Sequence, residues 1–517
     1  MPEQTVILRS EPGVKRDGTS FDAANYTDAQ WCRFQRGLPR KMGGYRAIGE
    51  LLPEISRGFT NFPSGDFVYC HSGSSSELQR FFLDSSGNSS ILSDRTPVGL
   101  TADNNNRWMF DYQFDAAGTT FSIIAHVAPN GASIVNDTGG EIYIGDVLDT
   151  AVLTSVSLPA SMNATGGIAV LHPYLFYYGS DGLVGWSVAN NPADLTGSGS
   201  GQARVWGQKI IKGMPLRAGS GSAPAGLFWA YDAVIRATFA GGSAVFNFDV
   251  VATGSSIMSA DSVIDYDGVF FWAGVDRFLM FNGVMQEVPN QMSLNWFFDG
   301  LNDVHRSKVY AVKVPRFGEI WWCYPRGDAT EATHAVIYNV RENTWYDTEL
   351  PNVGRSAGSF CNQYAAPIMT GSADAGAGFK VWLHENGFDE IDGSDIAPVL
   401  SYFETADIAT LAQGIDSGLR VSRVEPDFIQ TGDMSLKVIG RANARSPYIF
   451  SDEYIITESA SDVSEQVITL REQRREMRFR FSSNSVGGNY QMGKIIAHLA
   501  PSGKRTTGAT GTGNTLG

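Results

Sequence analysis

Two groups of carboxylates are the residues of this chain whose types and spacing could support chemistry. The groups are Asp261, Asp265, Asp267 and Asp276, and Asp389, Glu390, Asp392 and Asp395. Paired carboxylates act as acid and base in glycoside hydrolysis, and clustered carboxylate oxygens bind calcium. Both groups lie beside glycines in turn sequences, where aspartate is favoured because its side chain bonds to the nearby backbone. Neither group has calcium-loop spacing, so solvated turns are the preferred interpretation, with calcium binding and catalysis as alternatives.

Other chemical motifs are missing from the sequence. The seven histidines are scattered, and no HExxH, G-x-S-x-G or GxxxxGK[ST] pattern occurs. The four cysteines lie far apart, at Cys32, Cys70, Cys323 and Cys361. This spacing favours free thiols over disulfides or a zinc site. We therefore expect no enzymatic activity and no cofactor or metal.

A basic and aromatic segment covers residues 31–46, WCRFQRGLPRKMGGYR. It has five basic residues and no acidic one. Its proline and paired glycines exclude a long helix. Two interpretations stay open: an arm packed on its own domain, or an arm that docks on an acidic neighbour or on phosphate. The candidate docking residues are Trp31, Arg33, Phe34, Arg36, Arg40, Lys41 and Tyr45.

The composition limits the classes of protein to which the chain can belong. It has 517 residues, 39 basic and 54 acidic side chains, and a net charge of −15. Charged residues make up 18%, which argues against global disorder. No stretch of about 18 apolar residues predicts a membrane helix, and the first residues lack the apolar region of a signal peptide. An acidic chain does not attract nucleic acid through bulk charge.

Short apolar runs separated by turn residues dominate from about residue 56. Predicted strands include 67–72, 78–84, 121–127, 141–147, 174–180, 269–275, 319–325 and 333–340. Dipeptides that favour tight hairpins separate them: Asn130-Gly131, Gly139-Gly140, Asp181-Gly182, Asp267-Gly268 and Asn282-Gly283. Four-stranded blades of about 40–45 residues fit this pattern, with six or seven of them in 56–350. No WD, kelch or Asp-box signature recurs, so the pattern predicts an irregular β-propeller.

A second β region follows from about residue 381. Its runs alternate apolar and polar residues, as half-buried strands do, which predicts a β-sandwich-like domain. In residues 471–481, REQRREMRFRF, strand geometry places Met477, Phe479 and Phe481 on one face and Arg478 and Arg480 on the other. The arginine face is interpreted as solvated, with a partner-contact surface as the alternative. Residues 290–302 predict one amphipathic helical turn.

The fold class is therefore mainly β: an irregular β-propeller with a second β-sandwich-like domain. The predicted divisions are an N-terminal docking arm at 1–55, a propeller-like body at 56–350, a connection at 351–380, a β-sandwich-like platform at 381–500, and a flexible tail at 501–517.

Four segments give the chain a resemblance to a known family. They are residues 31–45, WCRFQRGLPRKMGGY; residues 179–195, GSDGLVGWSVANNPADL; residues 267–283 with 308–346; and the pattern over 401–495. These segments resemble the tail nozzle or hub proteins of short-tailed double-stranded DNA phages. They span most of the chain and are structural rather than catalytic signatures.

The resemblance implies a structural protein of the virion tail, made in the host cytoplasm. It implies a homo-oligomeric ring of six copies that retains packaged DNA and lets it pass during ejection, without sequence-specific binding. The implied neighbours are a tail adaptor and a tail fibre or needle protein, and no membrane anchor is expected. The alternative is a receptor- or glycan-binding propeller of the virion tail, for which Trp206, Trp229 and Trp382 are the candidate stacking residues. A glycan-cleaving propeller enzyme is the third possibility.

Overall fold

The computed structural model describes residues 3–19, 24–100, 102–115, 117–128, 141–160, 162, 164–216, 223–242, 244–408, 418–442, 445–458 and 467–502. The chain forms two units. The first comprises residues 1–44, 344–346 and 387–517, and the second comprises residues 45–343 and 347–386. The predicted turns Asn130-Gly131 and Gly139-Gly140, and the predicted tail from residue 503 onward, lie outside the described residues.

The N-terminal region differs from the predicted docking arm because it forms strands. These are β1 (Gln4–Leu8), β2 (Glu11–Val14), β3 (Asn25–Tyr26), β4 (Asp28–Gln30), β5 (Cys32–Gln35), β6 (Leu38–Lys41) and β7 (Tyr45–Leu52). The first six belong to the first unit and β7 to the second. β2 pairs with β3 and β5 pairs with β6, whereas β1, β4 and β7 pair with strands hundreds of residues away, which the local pattern does not reveal.

Seven sheets follow one another among the described residues of the propeller, and the first six of them are four-stranded. The first three consist of β8 (Gly58–Ser64), β9 (Phe67–Gly73), β10 (Leu78–Leu83) and β11 (Ser93–Asp94); β12 (Met109–Phe114), β13 (Phe121–Val127), β14 (Glu141–Asp146) and β15 (Thr154–Val156); and β16 (Gly167–Leu171), β17 (Tyr174–Tyr178), β18 (Leu183–Trp186) and β19 (Gly201–Arg204).

The next three sheets consist of β20 (Ile210–Pro215), β21 (Ala225–Ala230), β22 (Ala233–Phe239) and β23 (Phe246–Thr253); β24 (Ile264–Tyr266), β25 (Val269–Ala273), β26 (Phe278–Phe281) and β27 (Met285–Glu287); and β28 (Tyr310–Val314), β29 (Glu319–Tyr324), β30 (His334–Asn339) and β31 (Thr344–Glu349). The strands over 67–73, 121–127, 174–178 and 269–273 confirm the strand predictions at those positions. The turn at Asp267-Gly268 has positive φ at both residues, 53° and 84°, as its sequence predicts.

The seventh sheet closes the ring with a strand from the start of the unit. Its strands are β32 (Arg355–Cys361), β33 (Ala366–Asp374) and β34 (Phe379–His384), and β7 pairs antiparallel with β34. Its first strand, β32, contacts β8 of the first sheet. Residues 351–380, expected to be a connection, therefore supply most of a blade, because strand pairing satisfies the backbone of this small-residue segment.

Apolar side chains pack between consecutive blades of the propeller. One cluster joins the second and third blades through Ile124, Ile142 and Leu175, and another joins the fourth and fifth through Trp229 and Trp272. Because successive strand side chains point to opposite sides of a sheet, each blade presents apolar side chains to both of its neighbours. The predicted helical turn is also present, as α1 (Leu294–Gly300). Three 3₁₀ turns lie at Ser180–Gly182, Ala260–Ser262 and Asp303–Lys308.

The first unit is built from two six-stranded sheets, one hairpin and the parallel pair β2–β3. Its remaining strands are β35 (Asp389–Asp392), β36 (Asp395–Pro398), β37 (Ser401–Glu404), β38 (Gly418–Thr431), β39 (Met434–Arg441), β40 (Ile449–Phe450), β41 (Tyr454–Ile456), β42 (Ile468–Arg474), β43 (Glu476–Ser483) and β44 (Asn489–Ser502). One sheet has the order β42-β38-β44-β6-β5, with β1 also on β44. The other has the order β4-β37-β43-β39-β40, with β41 also on β39.

Aromatic side chains join the two sheets of this sandwich. Phe428 of one sheet lies 5.3 Å from Phe481 of the other, and Phe403 lies 5.6 Å from Tyr490, between ring centroids. Such pairs add about 0.5–1.5 kcal/mol beyond their buried area. The fold class predicted from the sequence, a propeller with a second sandwich-like domain, is confirmed.

The arginine face of β43 is occupied by ion pairs within the chain. Met477, Phe479 and Phe481 are buried, as the strand register predicted. On the opposite face Arg478 Nε lies 2.9 Å from a carboxylate oxygen of the buried Glu404, and Arg480 Nε donates to the other oxygen at 2.6 Å.

Among the described residues, no helix has the length and apolar character needed to cross a membrane.

Candidate functional site

The predicted docking residues are mostly buried by the chain itself. Trp31, Arg33, Phe34, Lys41 and Tyr45 are each at most 3% exposed, Arg40 is half-buried and Arg36 is exposed. Their role as a docking segment stays a prediction, with Arg36 and Arg40 as the members that a partner could reach.

The contacts of these residues explain their burial. The indole of Trp31 donates to the carbonyl of Gly43 at 2.9 Å, and the ammonium of Lys41 donates to the carbonyl of Gly488 at 2.7 Å. Burial lowers the pKa of Lys41 to about 8. The structure thus places this segment in the interior of its own units, the first of the two interpretations.

The carboxylate groups divide between turns and one ion cluster. Asp265 accepts the backbone N–H of Gly268 at 2.8 Å, as turn aspartates do, whereas Asp389 accepts the N–H of Gly487, 98 positions away, at 2.8 Å. Asp261 instead pairs with basic side chains. The described residues contain no group of three or more His, Cys, Asp or Glu side chains arranged to hold a metal ion.

The candidate stacking tryptophans do not form an open platform. Trp229 and Trp382 are at most 2% exposed. Trp206 is half-buried, and its indole donates to Asp232 at 2.7 Å.

Charged side chains converge instead where the innermost strands of the propeller begin. We call this set the channel mouth; its members are Arg57, Arg107, Lys212, Asp261, Lys308 and Glu331. Three of the cations stand one or two residues before an innermost strand, β8, β12 or β28, so the repeated blade geometry brings them together.

The first ion group of the channel mouth is fully hydrogen-bonded. Arg57 donates to both oxygens of Glu331, at 2.7 and 2.8 Å, and Lys308 donates to Glu331 at 2.7 Å. Burial alone would raise the pKa of Glu331, but the hydrogen bonds from Arg57 and Lys308 outweigh it and hold that pKa below its usual value. This group joins the first and sixth blades.

The second ion group lines a cavity. Arg107 Nε donates to Asp261 at 2.5 Å, and Arg107 Nη1 donates to the carbonyl of Ser356 at 3.2 Å. The Arg107 guanidinium also lies 5.4 Å from the ring centre of Tyr310. These contacts fix the arginine, which comes from the second blade, against the fifth, sixth and seventh blades.

Lys212 completes the second group with a long contact. Its ammonium lies 3.7 Å from Asp261, beyond hydrogen-bond distance, and no hydrogen bond joins it to any described residue. The register of β20 and β21 shifts between Ile210 and Lys212. Such an irregularity re-aims the side chains that follow it, which accounts for the turn of Lys212 toward the cavity.

A further carboxylate lies deeper along β12. Asp111 accepts the backbone N–H of Val170 at 2.7 Å, and burial raises its pKa to about 6. Among the described residues no basic side chain lies within ion-pair distance of it. The channel mouth and Asp111 together have four cations and three carboxylates, which is a local cationic excess within an acidic chain.

The cavity at the channel mouth has a volume of about 190 Å³. Its lining includes Arg107, Lys212, Asp261, Tyr310 and Thr60. An ammonium with unused donors beside a fixed guanidinium favours an anionic group.

The sequence prediction missed five of the six channel-mouth residues and assigned Asp261 to a turn. The signal that could have found them is positional: Arg57, Arg107 and Lys308 recur just before the first strand of a blade. The repeat is too degenerate for that register to be visible without the strand boundaries.

Comparisons with known proteins show resemblance at the level of the fold. No protein-family model matches the chain, and no curated protein matches it. Among solved structures, one described as "Structure of U3-55K" has 9% identity and a TM-score of 0.40, covering 66% of this chain and 98% of its own. One described as "Crystal structure of RRP9 WD40 repeats" has 7% identity and a TM-score of 0.40, covering 67% and 99%.

These neighbours are WD40-repeat proteins rather than phage tail nozzles, so the predicted family and the predicted virion-tail location are wrong. Of the segments that suggested the tail family, 179–195 and 267–283 with 308–346 are strands and hairpins of propeller blades, and 401–495 forms strands of the sandwich-like unit. The six-copy ring and its neighbours were implied by that resemblance alone and stay untested.

Proposed function

We propose that this β-propeller protein is an interaction protein that binds an acidic segment of a partner at the channel mouth. The observation that supports the proposal is the cationic excess of the channel mouth counted together with Asp111, four cations to three carboxylates, in a chain of net charge −15. Buried or half-buried charge attracts a complementary group because desolvated charges are poorly screened. Because the chain as a whole is negative and repels an acidic segment, the local positive charge determines where such a segment binds.

Fluorescence anisotropy with labelled peptides tests the proposal. The probes are a peptide of alternating glutamate and glycine, its glutamine counterpart and its lysine counterpart. We expect the glutamate peptide to bind most tightly and to weaken with added salt, because the screening length falls from about 30 Å at 0.01 M to about 3 Å at 1 M. Equal binding of the glutamate and glutamine peptides would contradict the proposal.

Hydrogen exchange locates the bound peptide independently of affinity. We expect protection at residues 57–60, 107–110 and 308–311, which flank the channel mouth, and none at the hairpin over 64–67 on the opposite side of the propeller. Protection confined to the sandwich strands or to 64–67 would place the acidic segment elsewhere and would reject the channel mouth as the binding site.

A further inference from the structure

We infer that the cavity beside Lys212 is a carboxylate-binding seat, which takes one acidic side chain of the partner segment between Lys212 and Arg107. This inference rests on the proposed function and specifies its anchoring contact. The four cations of the channel mouth differ in how far their hydrogen-bond donors are used within the chain.

Three of the four cations have their hydrogen-bonding capacity engaged within the chain. Arg57 is bidentate on Glu331, and Lys308 donates both to Glu331 and to the carbonyl of Thr330 at 2.8 Å. Arg107 donates through Nε and Nη1. Lys212 differs: its ammonium has three donors, and none bonds to a described residue.

The Lys212 side chain is also confined. It is 19% exposed, and it lines the cavity together with Arg107 at 7% and Asp261 at 21%. The ammonium of Lys212 is not one of the buried donors that lack a partner, so water reaches it, and a carboxylate that enters the cavity exchanges that water for a charge-assisted hydrogen bond. A water molecule takes about 30 Å³ in the liquid, so about 190 Å³ has room for a carboxylate group with bridging water.

The charges in the cavity select a monoanion over a dianion. Arg107, Lys212 and Asp261, which line the cavity, together carry one net positive charge, and the buried Asp111, which interacts with Lys212, adds a negative charge behind them. A single carboxylate is therefore the most negative charge that this set can accept. A phosphate group brings nearly two negative charges close to Asp261 and, further in, to Asp111. Like charges at this range repel strongly in a poorly hydrated site, so the seat favours the carboxylate of glutamate or aspartate.

The test compares Lys212→Gln with the matched control Lys437→Gln in the full chain. Lys437 pairs at 3.5 Å with Glu453 in the sandwich, so its substitution removes the same charge away from the cavity. A charge-assisted hydrogen bond contributes about 1.5–3 kcal/mol, so we expect Lys212→Gln to weaken the glutamate peptide roughly tenfold or more. Lys437→Gln should leave the affinity unchanged.

Two results would overturn the inference while leaving the proposed function intact. One is a glutamate peptide that binds Lys212→Gln as tightly as the unchanged protein. The other is inorganic phosphate that displaces the peptide more effectively than acetate does at equal concentration. Thermal unfolding of both variants checks that they fold, and an unfolded Lys212→Gln is replaced by Lys212→Met, which keeps the length of the side chain and removes its charge.

Discussion

At the scale of single residues, a buried arginine and a buried histidine of the propeller contact each other. Arg355 is fully buried and donates to His384 Nε2 at 3.1 Å and to the carbonyl of Pro351 at 2.8 Å. The same guanidinium lies 5.3 Å from the ring centre of Tyr45 and 5.2 Å from that of Trp382. The charge is thus held by an imidazole acceptor, a carbonyl and two aromatic faces where β7 meets β34.

This arrangement makes stability sensitive to acid. Burial, and then the charge of Arg355, hold the pKa of His384 well below its usual value, while a histidine in the unfolded chain has a pKa of about 6.5. Below pH 6.5 the unfolded chain therefore binds a proton that the folded chain excludes. Stability falls as the pH falls, by up to about 1.4 kcal/mol per pH unit for this group.

The substitution His384→Gln should remove this contribution. Glutamine can still accept the Arg355 hydrogen bond, so we expect the free energy of unfolding to change little at pH 7.5. At pH 5 the variant should have gained about 2 kcal/mol relative to the unchanged protein. Urea unfolding at both pH values measures the difference, with His172→Gln, on an exposed side chain, as the control. An equal pH dependence in all three proteins would show that His384 carries no linkage.

At the scale of elements, β7 determines whether the propeller is a closed ring. It pairs with β34 in the register Ile48 to Val381 and Leu52 to Phe379. Its buried side chains join a cluster with Phe59 of the first blade. The last blade is therefore completed by the first strand of the propeller unit, and the loss of that strand would leave an open sheet edge.

Truncation of one β7 side chain tests the energetic weight of this closure. Ile48 is 3% exposed, so Ile48→Ala should lower the free energy of unfolding by about 2–4 kcal/mol through lost burial and the cavity left behind. Glu50→Ala, at an exposed position of the same strand, should cost less than about 0.5 kcal/mol. Urea unfolding compares the two, and equal costs would mean that β7 packs too loosely to hold the ring.

At the scale of the whole molecule, the two ends of the chain meet in the sandwich unit. β1 pairs with β44 in the register Gln4 to Leu499 through Leu8 to Ile495. The hydroxyl of Thr5 and Nδ1 of His498 are 3.2 Å apart and share a hydrogen bond. The chain thus begins in the sandwich, forms the propeller, and returns to complete the sheet in which it began.

Deletion of residues 1–9 should loosen one edge of β44 alone. Because β44 also pairs with β38 along its other edge, we expect faster amide exchange only at alternate residues within 495–499, the amides that face β1. The paired amides of β39 and β43 serve as the internal reference. Unchanged exchange throughout 495–499 would show that β1 does not protect this edge.

The resemblance to phage tail nozzle proteins, which concerned the whole molecule, was wrong. The quoted segments encode strands and hairpins of the propeller and of the sandwich-like unit, and such elements are common to β proteins rather than marks of one family. The docking segment illustrates the same limit, because its basic and aromatic residues resemble an exposed arm in sequence, whereas Trp31, Arg33 and Lys41 are packed inside the chain.

The sequence alone determined what local chemistry specifies. Short apolar runs between turn residues predicted strands such as β13, and period-two alternation predicted β43 with its buried face of Met477 and Phe481. The Asp267-Gly268 pair predicted its turn. The same local signals predicted a propeller followed by a second β domain. Each of these depends on residues that are neighbours in the chain.

Only the tertiary structure decided the features that join distant residues. Arg57 and Glu331 are separated by 274 positions, and β7 and β34 by more than 300, so neither contact leaves a local pattern. The channel mouth exists because seven blades close into a ring and bring the starts of their innermost strands together. The closure fixes which charges meet, since a side chain's partner depends on the ring geometry rather than on its own sequence neighbourhood.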